Sequence, residues 1–167
     1  AASSNGAMTA VLGFDRQELD GLIKATEGVV IANDNSSAQV VLSGAPEAVN
    51  EVSSKLKCKR AIPLQVSGAF HSPFMDEAAK AFTKELDQII FKNAQIPVIS
   101  NSEPNPETDA NLLKERLQKQ MTSGVRWRET MDVMVQAGID TLLEIGPGNV
   151  LSGLAKRSMK GVDTHQI

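Results

Sequence analysis

Two short apolar runs, Val29-Val30-Ile31-Ala32 and Gln39-Val40-Val41-Leu42-Ser43-Gly44, stand on either side of the polar stretch Asn33-Asp34-Asn35-Ser36-Ser37. β-Branched residues in runs of this length favour strands, and Asn, Asp and Ser bond their own backbone in turns. The pattern predicts a hairpin. A lone hairpin is marginal in water, so the flanking segments must supply more sheet and a cover for it.

Both flanks do so. Met8–Phe14 (MTAVLGF) predicts a strand, and Asp15 with Glu18 three residues on has capping-box spacing. Leu19, Leu22 and Ile23 then share one helical face, and Gly28 ends that helix. After the hairpin, Pro46 suits the first position of a second helix, with Val49, Val52 and Leu56 as its apolar stripe. Ala61–Val66 predicts a fourth strand, in which Pro63 implies an edge or a bulge. The order β-α-β-β-α-β is the ferredoxin-like pattern.

The remainder reads as part of a larger α/β layer. Ser72 as N-cap, Pro73 at the first position and Asp76 and Glu77 in the first turn predict a long helix, with Met75, Ala79, Phe82, Leu86 and Ile89 as its seam. Ile96–Ser100 predicts a short buried strand, and Asn101–Asp109 a loop. Leu113, Leu117 and Met121 mark one helix. Trp127, Met131, Met134 and Val135 mark another, ended by Gly138. Thr141–Ile145 has the near-continuous apolar character of a parallel strand. Gly146-Pro147-Gly148 turns it into a final helix, Asn149 to Arg157. Two strands make no free-standing sheet. Either this half docks on the four-stranded sheet or the rest of its sheet lies in other sequence. The expected division is a linker or tag remnant at 1–7, a ferredoxin-like unit at 8–67 and the larger unit's C-terminal part at 68–167.

Composition narrows the chemistry. The 167 residues are 41% hydrophobic and 22% charged, a globular profile, and the net charge of −3 argues against a nucleic-acid binder. Cys58 is the single cysteine and His71 and His165 are the two histidines, so neither an internal disulfide nor a usual zinc site is expected. No apolar run is long enough to span a membrane. Ala1–Gly6 lacks the features of a signal peptide, and a reducing, cytoplasmic setting is the expectation.

The chemistry-bearing residue is His71, in Val66-Ser67-Gly68-Ala69-Phe70-His71-Ser72-Pro73-Phe74-Met75, between a strand's end and a helix's first turn. Catalytic groups favour such loops on rigid elements. The positive end of the helix dipole disfavours imidazolium there and keeps the ring a proton acceptor. Gly68 permits a close backbone approach.

Gly68–Met75 (GAFHSPFM) resembles the histidine motif of malonyl-CoA:acyl-carrier-protein transacylases and of acyltransferase domains in fatty-acid and polyketide synthases. Ile31–Asn35, Gln39–Gly44, Pro97–Asn101, Val125-Arg126-Trp127 and Leu143–Gly148 resemble that family too, in family order. The resemblance runs from Met8 onward. It implies an α/β-hydrolase-like core with an inserted ferredoxin-like subdomain. The implied reaction is ping-pong acyl transfer, in which a serine in Gly-His-Ser-x-Gly takes malonyl from CoA and an acyl carrier protein thiol removes it. No bound cofactor is implied; malonyl-CoA is a substrate.

This sequence contains no Gly-x-Ser-x-Gly; Ser43, Ser67, Ser123 and Ser152 lack that frame. The family arginine that grips the malonyl carboxylate is missing as well. Both belong to the family's front half, so the chain reads as its back half. By resemblance, His71 is the catalytic base. Gln120 supplies the backbone carbonyl that accepts the imidazole's other N–H. Phe70 occupies the position that separates malonyl from methylmalonyl enzymes. Asn33 and Asn35 match polar residues facing the cleft, with simple turn duty equally open.

Gly146-Pro147-Gly148 reads as a tight turn rather than a phosphate loop. His165 reads as chemically idle near a frayed terminus, and Cys58 as structural. Basic clusters at Lys55, Lys57, Lys59 and Arg60, at Arg126 and Arg128, and at Lys156 and Arg157 are candidates to steer an acidic acyl carrier protein. A small-molecule-binding regulatory module of ferredoxin-like form and a docking remnant of a synthase are the competing readings.

Overall fold

The computed structural model describes residues 6–66 and 68–167; residues 1–5 and Ser67 lie outside it. Most of the expected linker therefore falls outside the described residues, and its last residue, Ala7, is instead the first of a strand.

Four strands form one antiparallel sheet: β1 (Ala7–Phe14), β2 (Val29–Ser36), β3 (Gln39–Gly44) and β4 (Cys58–Pro63), in the order β2-β3-β1-β4. Helix α1 (Arg16–Ala25) follows β1, and α2 (Pro46–Lys55) follows β3. This is the ferredoxin-like arrangement the sequence predicts. Strand periodicity sorts the side chains. Val11 of β1, Val29 of β2, and Val40 and Leu42 of β3 meet Leu19 of α1 and Ala48, Val49 and Val52 of α2 in one buried core. Met8, Ala32 and Val41 form a smaller cluster of their own.

Local chemistry sets the boundaries. Asp15 accepts the Glu18 amide at 2.8 Å, the expected cap. The second half of a capping box is not made, because the Glu18 carboxylate accepts from the Lys57 amide instead. β4 runs three residues earlier than expected and lies at an edge, where Pro63 has no ladder bond to lose.

The largest correction concerns Asn33–Ser36. These residues extend β2 rather than forming a turn, and the reversal is confined to Ser37 and Ala38. Two register irregularities against β3, between Ile31 and Asn33 and between Asp34 and Ser36, let a polar run stay in the strand. The strand has a further partner. Asp34 N–H donates to the Val125 carbonyl at 2.8 Å, and Val125 N–H donates to the Ala32 carbonyl at 2.7 Å. Gly124 makes this approach possible, since a β-carbon there would lie 2.7 Å from the Ile31 carbonyl oxygen.

Beyond β4, a 3-10 turn at Pro73–Met75 leads into α3 (Asp76–Asp87), so the expected long helix begins with a tighter turn. Leu86 is the buried member of its seam, and Ile89 lies past its end, 55% exposed. Ile96–Ser100 is not a buried strand: Val98 alone makes an antiparallel bridge, to Glu107, and Ile96 is exposed. Helices α4 (Ala110–Lys119) and α5 (Trp127–Gln136) follow, with Met121 outside α4. Gly138 at φ 73 closes α5, its N–H donating to Val135 and that of Ile139 to Met134, as in a Schellman cap.

β5 (Thr141–Glu144) pairs in parallel with β6 (Asp163–Gln166) across α6 (Val150–Ser158). β5 is parallel as its composition predicts. β6 is a strand where the sequence suggests a frayed end; its four polar-rich residues carry too little apolar periodicity to announce one. Gly146 and Gly148, both at positive φ, form the expected tight turn. Glu144 accepts the Leu151 and Ser152 amides at 3.1 and 2.8 Å and so caps α6, a task the Asn149 side chain does not perform. The Ser152 side chain and these amides hold the Glu144 carboxyl below the usual carboxylate range.

Candidate active site

His71 is the one residue other than glycine with positive φ among the described residues, at φ 56. Histidine tolerates the left-handed region better than most side chains. The bend is held from the next residue. Ser72 is fully buried and donates its hydroxyl to the Ala69 carbonyl at 2.6 Å while accepting from the Phe74 amide at 3.3 Å. The chain comes close beside this motif at Gly6, where a β-carbon would lie 2.5 Å from Ala69 N.

This backbone turns the imidazole toward the C-terminal end of α4. A helix leaves its last carbonyls without intrahelical donors. The Gln120 carbonyl oxygen lies 2.9 Å from His71 Nδ1. A carbonyl only accepts, so the proton is assigned to Nδ1. The Gln120 side-chain nitrogen, 3.2 Å from the same atom, donates to the Ser123 carbonyl at 3.2 Å. In the neutral ring, Nε2 is then the nitrogen with a lone pair to accept a proton. The expectation placed the ring at a helix's positive end; its closest bond is with the negative end of α4, which favours the proton on the nitrogen facing it.

Of the residues singled out from sequence, His71 and Gln120 are in direct contact. Phe70 is adjacent in the chain and 37% exposed. Asn33 and Asn35 stand elsewhere, on β2, lining a cleft of about 350 Å³ with Asn101, Val125, Trp127 and Leu151. Neither bonds His71 among the described residues. Asn101 connects the two places, since it also lines a cleft of about 370 Å³ with Gln120, Phe91, Val98 and Arg116.

Two features escaped sequence reasoning. Asp34 is buried and accepts from Arg16 Nη1 at 3.1 Å and from Arg128 Nη2 at 3.0 Å. It thereby joins β2 to α1 and α5. A pair 94 residues apart has no local signature. Arg116 is the second, a buried guanidinium one turn before Gln120.

The basic clusters separate by partner. Arg126 is paired with Glu129, Arg128 with Asp34 and Lys55 with Glu51. These contacts raise both arginines above their ordinary values, the Glu129 and Asp34 side-chain bonds being the main causes. Among the described residues, Lys57, Lys59, Arg60, Lys156 and Arg157 carry no carboxylate partner. Lys156 and Arg157 line a groove with His165.

Known proteins share this fold. Residues 1–166 match the acyl transferase domain family. The malonyl CoA-acyl carrier protein transacylase of Synechocystis sp. is 42% identical over 167 residues, which cover 100% of this chain and 57% of that protein. The Bacillus subtilis transacylase is 40% identical over 169 residues, 97% of this chain and 53% of that one. The crystal structure of the Synechocystis protein superimposes with a TM-score of 0.95, covering 99% of this chain and 57% of the other. A malonyl transacylase solved in complex with its type II polyketide synthase acyl-carrier protein is 34% identical, with a TM-score of 0.90 over 100% of this chain and 56% of that one. The chain thus spans a little over half the length of the curated relatives it matches.

Proposed function

The chain belongs to the acyl transferase domain family, and on that premise we propose that it supplies the general base for malonyl transfer from coenzyme A to an acyl carrier protein. The Nδ1–H bond from His71 to the Gln120 carbonyl carries this reading. It fixes the tautomer that a base needs, the task a carboxylate performs in other triads.

The nucleophilic serine belongs to a segment this sequence does not contain. His71 Nε2 takes the hydroxyl proton as the serine oxygen attacks the malonyl thioester. The tetrahedral adduct collapses, the sulfur of coenzyme A leaves with that proton, and malonyl remains as a serine ester. The carrier protein's thiol then gives its proton to Nε2 and attacks the ester. The serine oxygen departs and recovers the proton, so the imidazole ends as it began.

Phe70 borders the acyl position and limits the space beside the malonyl α-carbon. Asn33 and Asn35 line the far part of the cleft, joined to the Gln120 side through Asn101. Residues 8–67 serve as a small subdomain beside the C-terminal part, 68–167, of the larger one. An acidic carrier protein meets cations free of internal partners, so Lys156 and Arg157 suit that role better than the neutralised pair Arg126 and Arg128.

The test is a chimera in which this chain replaces the matching 57% of the Synechocystis transacylase. It is expected to move labelled malonyl from coenzyme A to acyl carrier protein, and His71→Ala is expected to lower the rate by about 10³. An undiminished rate in that variant removes His71 from the reaction.

A further inference from the structure

We propose that Arg116 is a positioning residue whose buried guanidinium holds the Gln120 carbonyl against His71 and thereby decides which imidazole nitrogen carries the proton. The inference rests on the reading of His71 as the base.

Arg116 lies on α4 and is 7% exposed. Its Nη1–H donates to the Asn105 carbonyl at 2.7 Å, and Nη2 stands 3.6 Å from both Glu103 Oε1 and Glu107 Oε2. Glu107 is itself fixed. Its carboxylate accepts the Thr108 and Asp109 amides at 2.8 and 2.9 Å, and its backbone pairs with Val98. The peptide oxygen of Arg116 accepts the Gln120 N–H at 3.1 Å and the Ser102 hydroxyl at 3.0 Å. One residue therefore ties the last turn of α4 to the loop on both sides, through its head and through its carbonyl.

That hold matters because Gln120 offers His71 two groups of opposite polarity. Its carbonyl, 2.9 Å from Nδ1, demands a proton there. Its side-chain nitrogen, 3.2 Å from Nδ1, is a donor and asks for a bare Nδ1. Terminal turns of helices fray. Rotation of this one would withdraw the carbonyl and leave the amide as the nearer partner. The proton would then move to Nε2, the nitrogen that must be bare to act as base. A buried guanidinium is costly unless it is bonded and paired, and here the bond to Asn105 and the nearby carboxylates of Glu103 and Glu107 hold that turn still.

The deciding measurement is long-range ¹H–¹⁵N correlation of the imidazoles in the 167-residue chain. There are two histidines, and His165→Ala assigns them. The native chain is expected to carry the His71 proton on Nδ1. Arg116→Met is expected to raise the Nε2–H form roughly fivefold or more, the leverage of one hydrogen bond. Arg116→Lys, with one ammonium in reach of Asn105, is expected to recover part of the difference. Far-UV circular dichroism reports whether each variant keeps its helices. Should Arg116→Met not fold, Ser102→Ala, which frees the Arg116 carbonyl on one side, is expected to move the ratio in the same direction by less. A folded Arg116→Met with an unchanged ratio overturns the inference and leaves the base intact. If Arg116→Met does not fold, an unchanged Ser102→Ala overturns it likewise. A native chain with its proton on Nε2 overturns the reading of the base, and this inference with it.

Discussion

His71 at φ 56 carries a backbone cost of about 1–2 kcal/mol that its surroundings must offset. The buried Ser72 hydroxyl and the Gln120 carbonyl supply those bonds, so the conformation that strains the chain is also the one that aims the ring. Phe70, immediately before it, is predicted to set acyl selectivity. Phe70→Ser in the chimera should raise transfer of methylmalonyl relative to malonyl, measured as a ratio of kcat/KM values, because a hydroxymethyl group leaves space for an α-methyl. An unchanged ratio places selectivity elsewhere. At this scale the pairing of His71 with Gln120 was legible through the resemblance alone. Nothing local across their separation of 49 positions indicates contact. Arg116 and Asp34 were not legible at all, because a buried ion reads in sequence like any exposed one until its partners are placed.

Elements were read more securely where composition and periodicity agreed. The Asp15 cap, the Pro46 start and the stripe of Val49, Val52 and Leu56 all fall where the pattern put them. The failures share a cause. Asn33–Ser36 has turn composition but gains ladder bonds to β3 and a second partner in Val125, so tertiary pairing overrides propensity. The Gly138 cap yields a clean backbone prediction. No atom lies within 4 Å of where its β-carbon would be, so Gly138→Ala should cost about 1 kcal/mol through φ alone, seen as a lower urea midpoint at constant m. An unchanged midpoint would show that the positive φ is not needed.

Helix ends also set the acid response. The Asp109 and Thr108 amides hold the Glu107 carboxyl below its ordinary value, as Arg126 does for Glu129. Carboxyls depressed on folding stabilise the native state fully above their unfolded value of about 4.3, and lose that contribution as pH falls through the lower folded value. The thermal midpoint should therefore drop below about pH 4.3, and Glu107→Gln should flatten the drop. The same slope in both proteins would exclude Glu107 as a contributor.

On the scale of the whole molecule, apolar surface is unevenly distributed. The three strands β1, β2 and β3 supply most of the buried sheet core, whereas Ile90, Ile96, Ile145 and Val150 are 67% exposed or more. Large apolar side chains left this open are surface that another segment can cover. The chain by itself is predicted to bind a hydrophobic fluorescent dye, and addition of the unmatched segment of the Synechocystis transacylase should quench that emission. Dye binding unaffected by the added segment would mean that some other surface holds the dye. Such a cover could be anticipated from the sequence, because two strands in the second half were too few for a sheet. Where the exposure falls could not, since it depends on which faces α5 and α6 protect.

The stitch from Val125 to the outer strand β2 has a consequence for self-association. One margin of the four-stranded sheet is already spoken for by the chain's own backbone. The opposite margin, β4, presents Lys59, Arg60 and Pro63, charges and an imino acid that repel or cannot bond an incoming strand. Ribbon-like polymerisation through this sheet is thus disfavoured on both sides.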